Sequence, residues 1–264
     1  MTFLDDMIAR RQARLATEFG ALSAADCERL ASCARPARDF AAALSERLDL
    51  AVIAEVKKAS PSAGPIAPQC EASKQALHYQ DGGAAAVSVL TEPESFGGSF
   101  VDLSDVSDAL DIPVLCKDFV VDPVQLFLAR GHGADAVLLM VSVLGERVSD
   151  YLDLAETLDL QALVEVHTAA ELEVALSVKA PVVGVNSRDL ATLKVDAHAA
   201  RETVSRAAEA GVIVVAESGM HTRTDVELAA KAGASAVLVG ETLMRAPFPE
   251  DVLEELTGVR RERP

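Results

Sequence analysis

The chain predicts an α/β protein, a (β/α)8 TIM barrel with extra N-terminal helices. Three observations carry that expectation. Short apolar runs rich in Val, Ile and Leu recur eight times at even spacing, with helical patterns between them. A Gly-Ala-x-Ala-Val element occurs at Gly83–Val87, Gly133–Val137 and Gly233–Val237, each time where a helical pattern ends and a strand pattern begins. The length, 264 residues, suits a barrel of this class as one unit.

The predicted strands are Leu50–Val56, Ala85–Leu90, Ile112–Cys116, Ala136–Val141, Ala162–Val166, Val182–Val185, Val212–Ala216 and Ala236–Val239. Near-continuous apolar runs of this length suit strands buried on both faces. Helix starts are marked by Asp122-Pro123, an N-cap residue before Pro at the first helical position. Thr168-Ala-Ala-Glu171 and Thr224-Asp-Val-Glu227 fit the capping box. A last helix, Pro249–Leu256, completes the ring. Residues 1–48 read as two or three extra helices with no linker, so the expectation is a single domain over 1–264, with a helical extension at 1–48 and the barrel at 49–257. A doubly wound open sheet is the alternative. The even spacing, and the lack of Gly-x-Gly-x-x-Gly after the first strand, count against it.

The formal net charge of −17 argues against a nucleic-acid or polyanion surface but not against one local anion site. Cys27, Cys33, Cys70 and Cys116 form no C-x-x-C pair, which points away from zinc and from a disulfide framework. The N-terminal stretch is an amphipathic helix without the apolar segment of a signal peptide. No apolar run approaches the ~20 residues needed to span a bilayer. A cytoplasmic, monomeric protein with no membrane partner is expected.

In a barrel of this class, chemistry is done by side chains at the C-terminal ends of the strands. Those ends supply Glu55 and Lys57, Lys117, Glu165, Asn186, Glu217 with Ser218, and Gly240. Glu55 and Lys57 are two apart and share a face. Taken singly, each charge could simply face solvent. Taken together, two lysines and three glutamates converging on one cavity point to acid–base chemistry, because buried charges are costly unless paired. A second signal is an anion site. Ser218-Gly219 after the seventh strand and Gly240-Glu241 after the eighth let backbone N–H groups approach a phosphate. Ser60 could add a hydroxyl or merely shape the turn beside Pro61, and Phe96 could pack on a substrate ring or cover the rim. His78, His132, His198 and His221 read as surface or packing residues. His167, close to Glu165, reads as structural.

These residues fall in segments that resemble indole-3-glycerol-phosphate synthases. The segments are Ile53-Ala-Glu-Val-Lys-Lys-Ala-Ser-Pro-Ser62, Leu115-Cys-Lys-Asp-Phe-Val-Val-Asp122, Val164-Glu-Val166, Gly184-Val-Asn-Ser-Arg-Asp-Leu190, Val215-Ala-Glu-Ser-Gly219 and Val239-Gly-Glu-Thr-Leu-Met-Arg245. The resemblance runs from about residue 3 to residue 256. It implies closure of a pyrrole ring in 1-(2-carboxyphenylamino)-1-deoxyribulose 5-phosphate, with loss of carbon dioxide and water, in tryptophan biosynthesis and without metal or organic cofactor. It implies that Lys117 is the general acid, that Lys57 is the partner of the substrate carboxylate or also the acid of the later dehydration, and that Glu165 is the base of that dehydration, with the division of proton transfers between the two lysines left open. Glu55, Asn186 and Glu217 would bind hydroxyls and hold the lysines. Ser60, Ser218, Gly219, Gly240 and Glu241 fall in the phosphate region, and Phe96 and Arg188 line the cavity.

Three features depart from the family pattern: no Lys before Gly64, Cys116 in place of an Arg, and the Ala129-Arg-Gly-His-Gly-Ala134 segment. None is a catalytic position. Among rivals, an aldolase would use Lys117 as a Schiff-base amine, and phosphoribosylanthranilate isomerase is another phosphate-binding barrel. The Glu55/Lys57 pair with Glu165 fits the synthase better than either, and the intact charged set argues against a non-catalytic sensor.

Overall fold

The computed structural model describes residues 2–188 and 195–262. Its centre is a closed barrel of eight parallel strands, β1 Ala51–Val56, β2 Ala86–Leu90, β3 Val114–Lys117, β4 Ala136–Met140, β5 Gln161–Val166, β6 Val182–Asn186, β7 Ile213–Glu217 and β8 Ala236–Val239. The seam closes where β1 pairs with both β2 and β8, placing Ile53 opposite Ala86 on one side and Leu238 on the other. Eight helices surround it: α4 Ala72–Asp81, α5 Phe100–Ala109, α6 Val124–Gly131, α7 Val148–Thr157, α8 Ala169–Ser177, α9 Ala197–Glu209, α10 Arg223–Lys231 and α11 Pro249–Leu256. Before the barrel come α1 Phe3–Phe19, α2 Ala24–Ser32 and α3 Phe40–Ser45. The eight strands and the N-terminal helices are those expected.

Strand parity decides what faces where. Successive side chains on a strand alternate between its two faces. Val52, Ala54, Val87, Val89, Val137, Val164 and Val183 point outward into one large cluster under the helices. Ala51, Ile53, Ala86, Leu115, Ala136, Leu138, Leu163, Val182, Val215 and Leu238 point inward and fill the barrel floor. Moving two residues further along the same inward face gives Glu55, Lys117, Glu165 and Glu217. The floor is apolar and the mouth is charged because β1, β3, β5 and β7 switch from an apolar to a charged residue at their last inward position.

The repeated glycines end their helices in the left-handed region, at φ of +89° for Gly83, +82° for Gly133 and +93° for Gly233. In each case the following N–H returns to the carbonyl five residues back, as Ala84 does to Tyr79, Ala134 to Ala129 and Ala234 to Ala229. The third residue of the repeat differs. At Asp135 the carboxylate is fully buried and accepts from the backbone N–H groups of Val114 and Arg38 and from the guanidinium of Arg35. The guanidinium of Arg38 reaches it as well. Asp135 thereby clamps the chain between α2 and α3 to the barrel floor.

One helix start differs from expectation. The cap of α10 is Thr222, boxed with Asp225, and Thr224 lies inside the helix. Thr222-x-x-Asp225 and Thr224-x-x-Glu227 overlap in sequence, and the first satisfies the earlier orphan N–H groups. At α8 only half of the expected box forms. Thr168 accepts from the Glu171 N–H, but the Glu171 carboxylate turns back to His167 instead. Asp122 accepts from the N–H of Val124, with Pro123 already in helical geometry, as expected. No helix among the described residues is long and apolar enough to cross a membrane.

Replacing Asp135 with Ala should lower stability by about 3 kcal/mol or more, since two backbone donors and two guanidinium groups lose their acceptor. Urea unfolding checks this through a lowered midpoint with an unchanged slope.

Candidate active site

At the C-terminal mouth of the barrel a pocket of about 1070 Å³, counted out to its opening, is lined by every strand-end residue singled out above. Lys117 ends β3, and its Nζ lies 3.0 Å from Glu165 Oε2 of β5 and 3.0 Å from Glu217 Oε2 of β7. The two glutamates are 1% and 2% exposed, so this ammonium and its carboxylates interact with little solvent screening. Beside them Lys57 Nζ lies 2.6 Å from Glu55 Oε1. Asn186 Oδ1 accepts from the Ser218 hydroxyl at 2.8 Å and from the Arg188 N–H at 3.0 Å, joining the ends of β6 and β7.

Protonation follows from this crowding. Burial pushes the Glu217 carboxyl up to about 8, with Glu165 adding to the rise and Lys117 opposing it. Burial also acts to raise Glu165, but the Lys117 ammonium and then His167 outweigh it and hold that carboxyl below its ordinary range. Burial acts to lower Lys117, and the carboxylates of Glu165, Glu217 and Glu55 outweigh it, so the amine stays charged. At neutral pH the trio therefore holds one ammonium, one carboxylate and one carboxylic acid, which titrate as a coupled set.

Two glycines make the geometry possible. A Cβ on Gly184, inward on β6, would stand 2.1 Å from Glu217 Oε1, and one on Gly240 would stand 2.4 Å from Glu55 Oε1. Sequence reasoning assigned Gly240 to the phosphate region and missed its second role. It also missed Gly184, although a Gly within a strand is a recognised sign of close approach by another group.

The substrate-side residues line the same mouth. Ser60 lies in a small antiparallel ribbon, Ala59–Ser60 with Gly64–Pro65, and its hydroxyl accepts from the Ala63 N–H, so it shapes the turn while facing the pocket. Ser218 and Gly219 both have positive φ, +64° and +73°. For Ser218 this is strained backbone in the pocket wall. Glu241 opens the short helix Glu241–Arg245, and its carboxylate is held 2.9 Å from Arg245 Nε, which leaves its backbone N–H as the group suited to an anion. Phe96 packs on Phe119 with ring centroids 6.2 Å apart and lines the cavity wall, the rim-covering role considered for it. Arg188 lines the mouth, whereas Asp189 and Leu190 of its motif lie outside the described residues.

Other residues were not anticipated. Arg11 of α1 forms a buried ion pair with Asp118, 2.5 Å between Nη2 and Oδ2, which ties the N-terminal helix to the residue after Lys117. Phe3 of the same helix reaches the pocket. The partners are 107 residues apart, and nothing local in the sequence joins them. His167, read as structural, places its ring 3.4 Å from Glu165. His221 lines the mouth, bonded to the Thr242 hydroxyl.

A parallel barrel whose mouth holds a shared lysine and paired carboxylates defines an enzyme of the acid–base type. Two solved structures share this fold at 16% identity, thiamine phosphate pyrophosphorylase from Pyrococcus furiosus at a TM-score of 0.60 over 83% of this chain and 96% of that one, and 3-hexulose-6-phosphate synthase at 0.63 over 78% and 98%. Closer likenesses are in sequence. The family model described as indole-3-glycerol phosphate synthase matches residues 4–256. A protein of that name from Arthrobacter sp. (strain FB24) is 42% identical over 99% of this chain and 98% of its own length. Another, from Mycobacterium tuberculosis (strain ATCC 25177 / H37Ra), is 45% identical over 97% and 93%. The chain belongs to the indole-3-glycerol phosphate synthase family, decarboxylating lyases of tryptophan biosynthesis that act on a small phosphorylated substrate.

Two outcomes are expected. Gly184→Ala should fold, because the groups that must move are side-chain ends, the carboxyl of Glu217 and by a few tenths of an ångström the Leu163 methyl, but steady-state assay should find turnover reduced about tenfold or more as the Glu217 carboxyl leaves Lys117. Glu217→Gln tests the proton on Glu217. A folded-state value near 8 against an ordinary 4.5 means the folded chain keeps a proton that the unfolded chain releases between those pH values. That linkage lowers stability as pH rises through the window. The Gln variant lacks it, so its melting temperature should gain on the parent's between pH 5 and pH 8.5.

Proposed function

We propose that the reaction of this family runs in the mouth described above, with Lys117 as the acid of ring closure. The observation that carries this reading is the single ammonium of Lys117 shared at 3.0 Å by Glu165 and Glu217. Attack of an aromatic carbon on the ribulose carbonyl places negative charge on oxygen. A positioned ammonium stabilises that charge and supplies the proton. An amine held charged by the Glu165 carboxylate, with Glu217 beside it, suits an acid. A Schiff-base lysine must instead reach the neutral form, which this environment opposes.

Lys57, paired with Glu55 at the end of β1, is positioned to meet the carboxylate that leaves as carbon dioxide. Loss of that carboxylate restores a neutral ring and frees Lys57 to return to Glu55. Glu165, held ionised, is the base that removes a proton while the Lys57 ammonium protonates the departing hydroxyl, which leaves as water, and Lys57 regains its proton from solvent. Its proximity to Lys117 lets the proton given up in the first step be restored in the last. Glu217 and Asn186 hold Lys117 and Ser218 in place and meet the ribulose hydroxyls.

The phosphate is assigned to the backbone N–H groups around Ser218-Gly219 and Gly240-Glu241, with the Ser60 hydroxyl beside them. The support is their common position in the pocket wall and the positive φ of Ser218 and Gly219. Phe96 and Arg188 take the anthranilate side of the cavity. We further assign the chain as one domain, 1–48 packed on a barrel of 49–257, acting as a monomer in the cytoplasm with no cofactor.

Lys117→Ala should lower turnover by about 10²–10⁴-fold, while affinity for an unreactive sugar phosphate stays within a few-fold. A fluorescence assay of indole-3-glycerol phosphate formation, with titration of the sugar phosphate, checks both. Turnover near that of the parent would remove Lys117 from the mechanism.

A further inference from the structure

His167 sits in the turn between β5 and α8 with its side chain only 11% exposed, and the mechanism above gives it no task. Three contacts fix it. Its backbone N–H donates to Glu171 Oε2 at 2.6 Å, and its Nδ1 lies 3.3 Å from the same oxygen. Its Nε2 is buried, has no hydrogen-bond partner, and faces Glu165 Oε1 at 3.4 Å. The two oxygens of Glu165 are thereby divided, Oε2 toward Lys117 and Oε1 toward the imidazole. The diversion of Glu171 from its capping role, noted at the start of α8, has the same cause, because that carboxylate is spent on orienting His167.

We propose that His167 is a positioning residue for Glu165, locked by Glu171 so that Nε2 bears on the oxygen Lys117 does not use and keeps the carboxylate aimed and ionised. The proposal rests on Glu165 being the base. A carboxylate carrying one cation on one oxygen can rotate about its last torsion, and a second positive group close to the other oxygen opposes that rotation. The charges facing His167 are Glu165 from β5, Glu171 from α8 and Glu217 from β7, with Lys117 beyond Glu165. Burial acts to lower the imidazole, and the three carboxylates outweigh it and raise its affinity for a proton. In its protonated form the imidazole is the second positive neighbour of Glu165. It acts in the same direction as Lys117, favouring the charged form of the base.

The test is the pH profile of turnover in His167→Gln, which keeps a polar side chain of similar length but cannot carry charge. With one positive neighbour removed, Glu165 should protonate at higher pH. The acid limb of kcat should then move up by about half a unit or more. Turnover at pH 7 should fall about 3- to 30-fold with KM within about twofold. In Glu171→Gln the imidazole stays but loses its anchoring charge, and the limb should move the same way by less. This variant decides the matter if His167→Gln does not fold. In a Glu165→Gln background the His167 substitution should cost nothing further, since residues acting through one group are not additive. An unmoved acid limb in both single variants, or a full additional loss in the Glu165→Gln background, overturns the proposal while leaving the base in place. Parent-like turnover in Glu165→Gln alone removes the base and the proposal together.

Discussion

One ammonium divided between two buried glutamates, one ionised and one protonated at neutral pH, governs this molecule. Lys117, Glu165 and Glu217 come from three strands, and their functional atoms meet at 3.0 Å at the base of the mouth, where both glutamates are buried. Bringing such groups out of water is expensive, so the arrangement survives only if the scaffold fixes it. Strand parity supplies the first constraint. The inward register that packs Leu115, Leu163 and Val215 on the floor delivers the three charges two residues later. A one-residue slip of any strand would turn its charge into the outer cluster, so the apolar floor holds the site in register as well as stabilising the fold.

The remaining constraints act on room and on anchorage. Gly184 and Gly240 leave space where any side chain would displace Glu217 or Glu55. Asp118, directly after Lys117, is gripped by Arg11 and by the Thr91 hydroxyl, so α1 and the end of β2 both bear on the end of β3. At the opposite end Asp135 joins the N-terminal segment to the barrel floor, and the chain after α11 returns there through the Leu50–Val259 hydrogen bond and the Asp49–Arg260 bridge. The helices before the barrel are thus tied to it at both ends. This arrangement supports reading the chain as one folding unit.

Much of this was legible in the sequence because it is written in local patterns. Apolar runs bounded by Gly, and strands ending in charge, give the barrel and the charged members of its mouth without reference to distant residues. The edges are less legible. The third strand begins at Val114, two residues later than its apolar run, because Pro113 can donate no N–H to a ladder, and it extends to include Lys117. The cap of α10 was ambiguous because two Thr-x-x-acid windows overlap. What could not be read at all are pairings across the fold. Asp135 looks like a small change in a repeat until Arg35 and Arg38 close on it from about 100 residues away. His167 looks like a loop histidine until Glu171 turns it toward Glu165.

The account stands on Lys117 meeting the oxygen of the reacting carbonyl. The most direct measurement is a crystal structure with a substrate analogue in which that carbonyl is reduced to an alcohol. The account predicts the alcohol oxygen about 3 Å from Lys117 Nζ, with the phosphate on the backbone of Ser218–Gly219 and Gly240–Glu241. An analogue bound with its phosphate in that place but its alcohol directed away from Lys117, toward Lys57 or toward solvent, would contradict it.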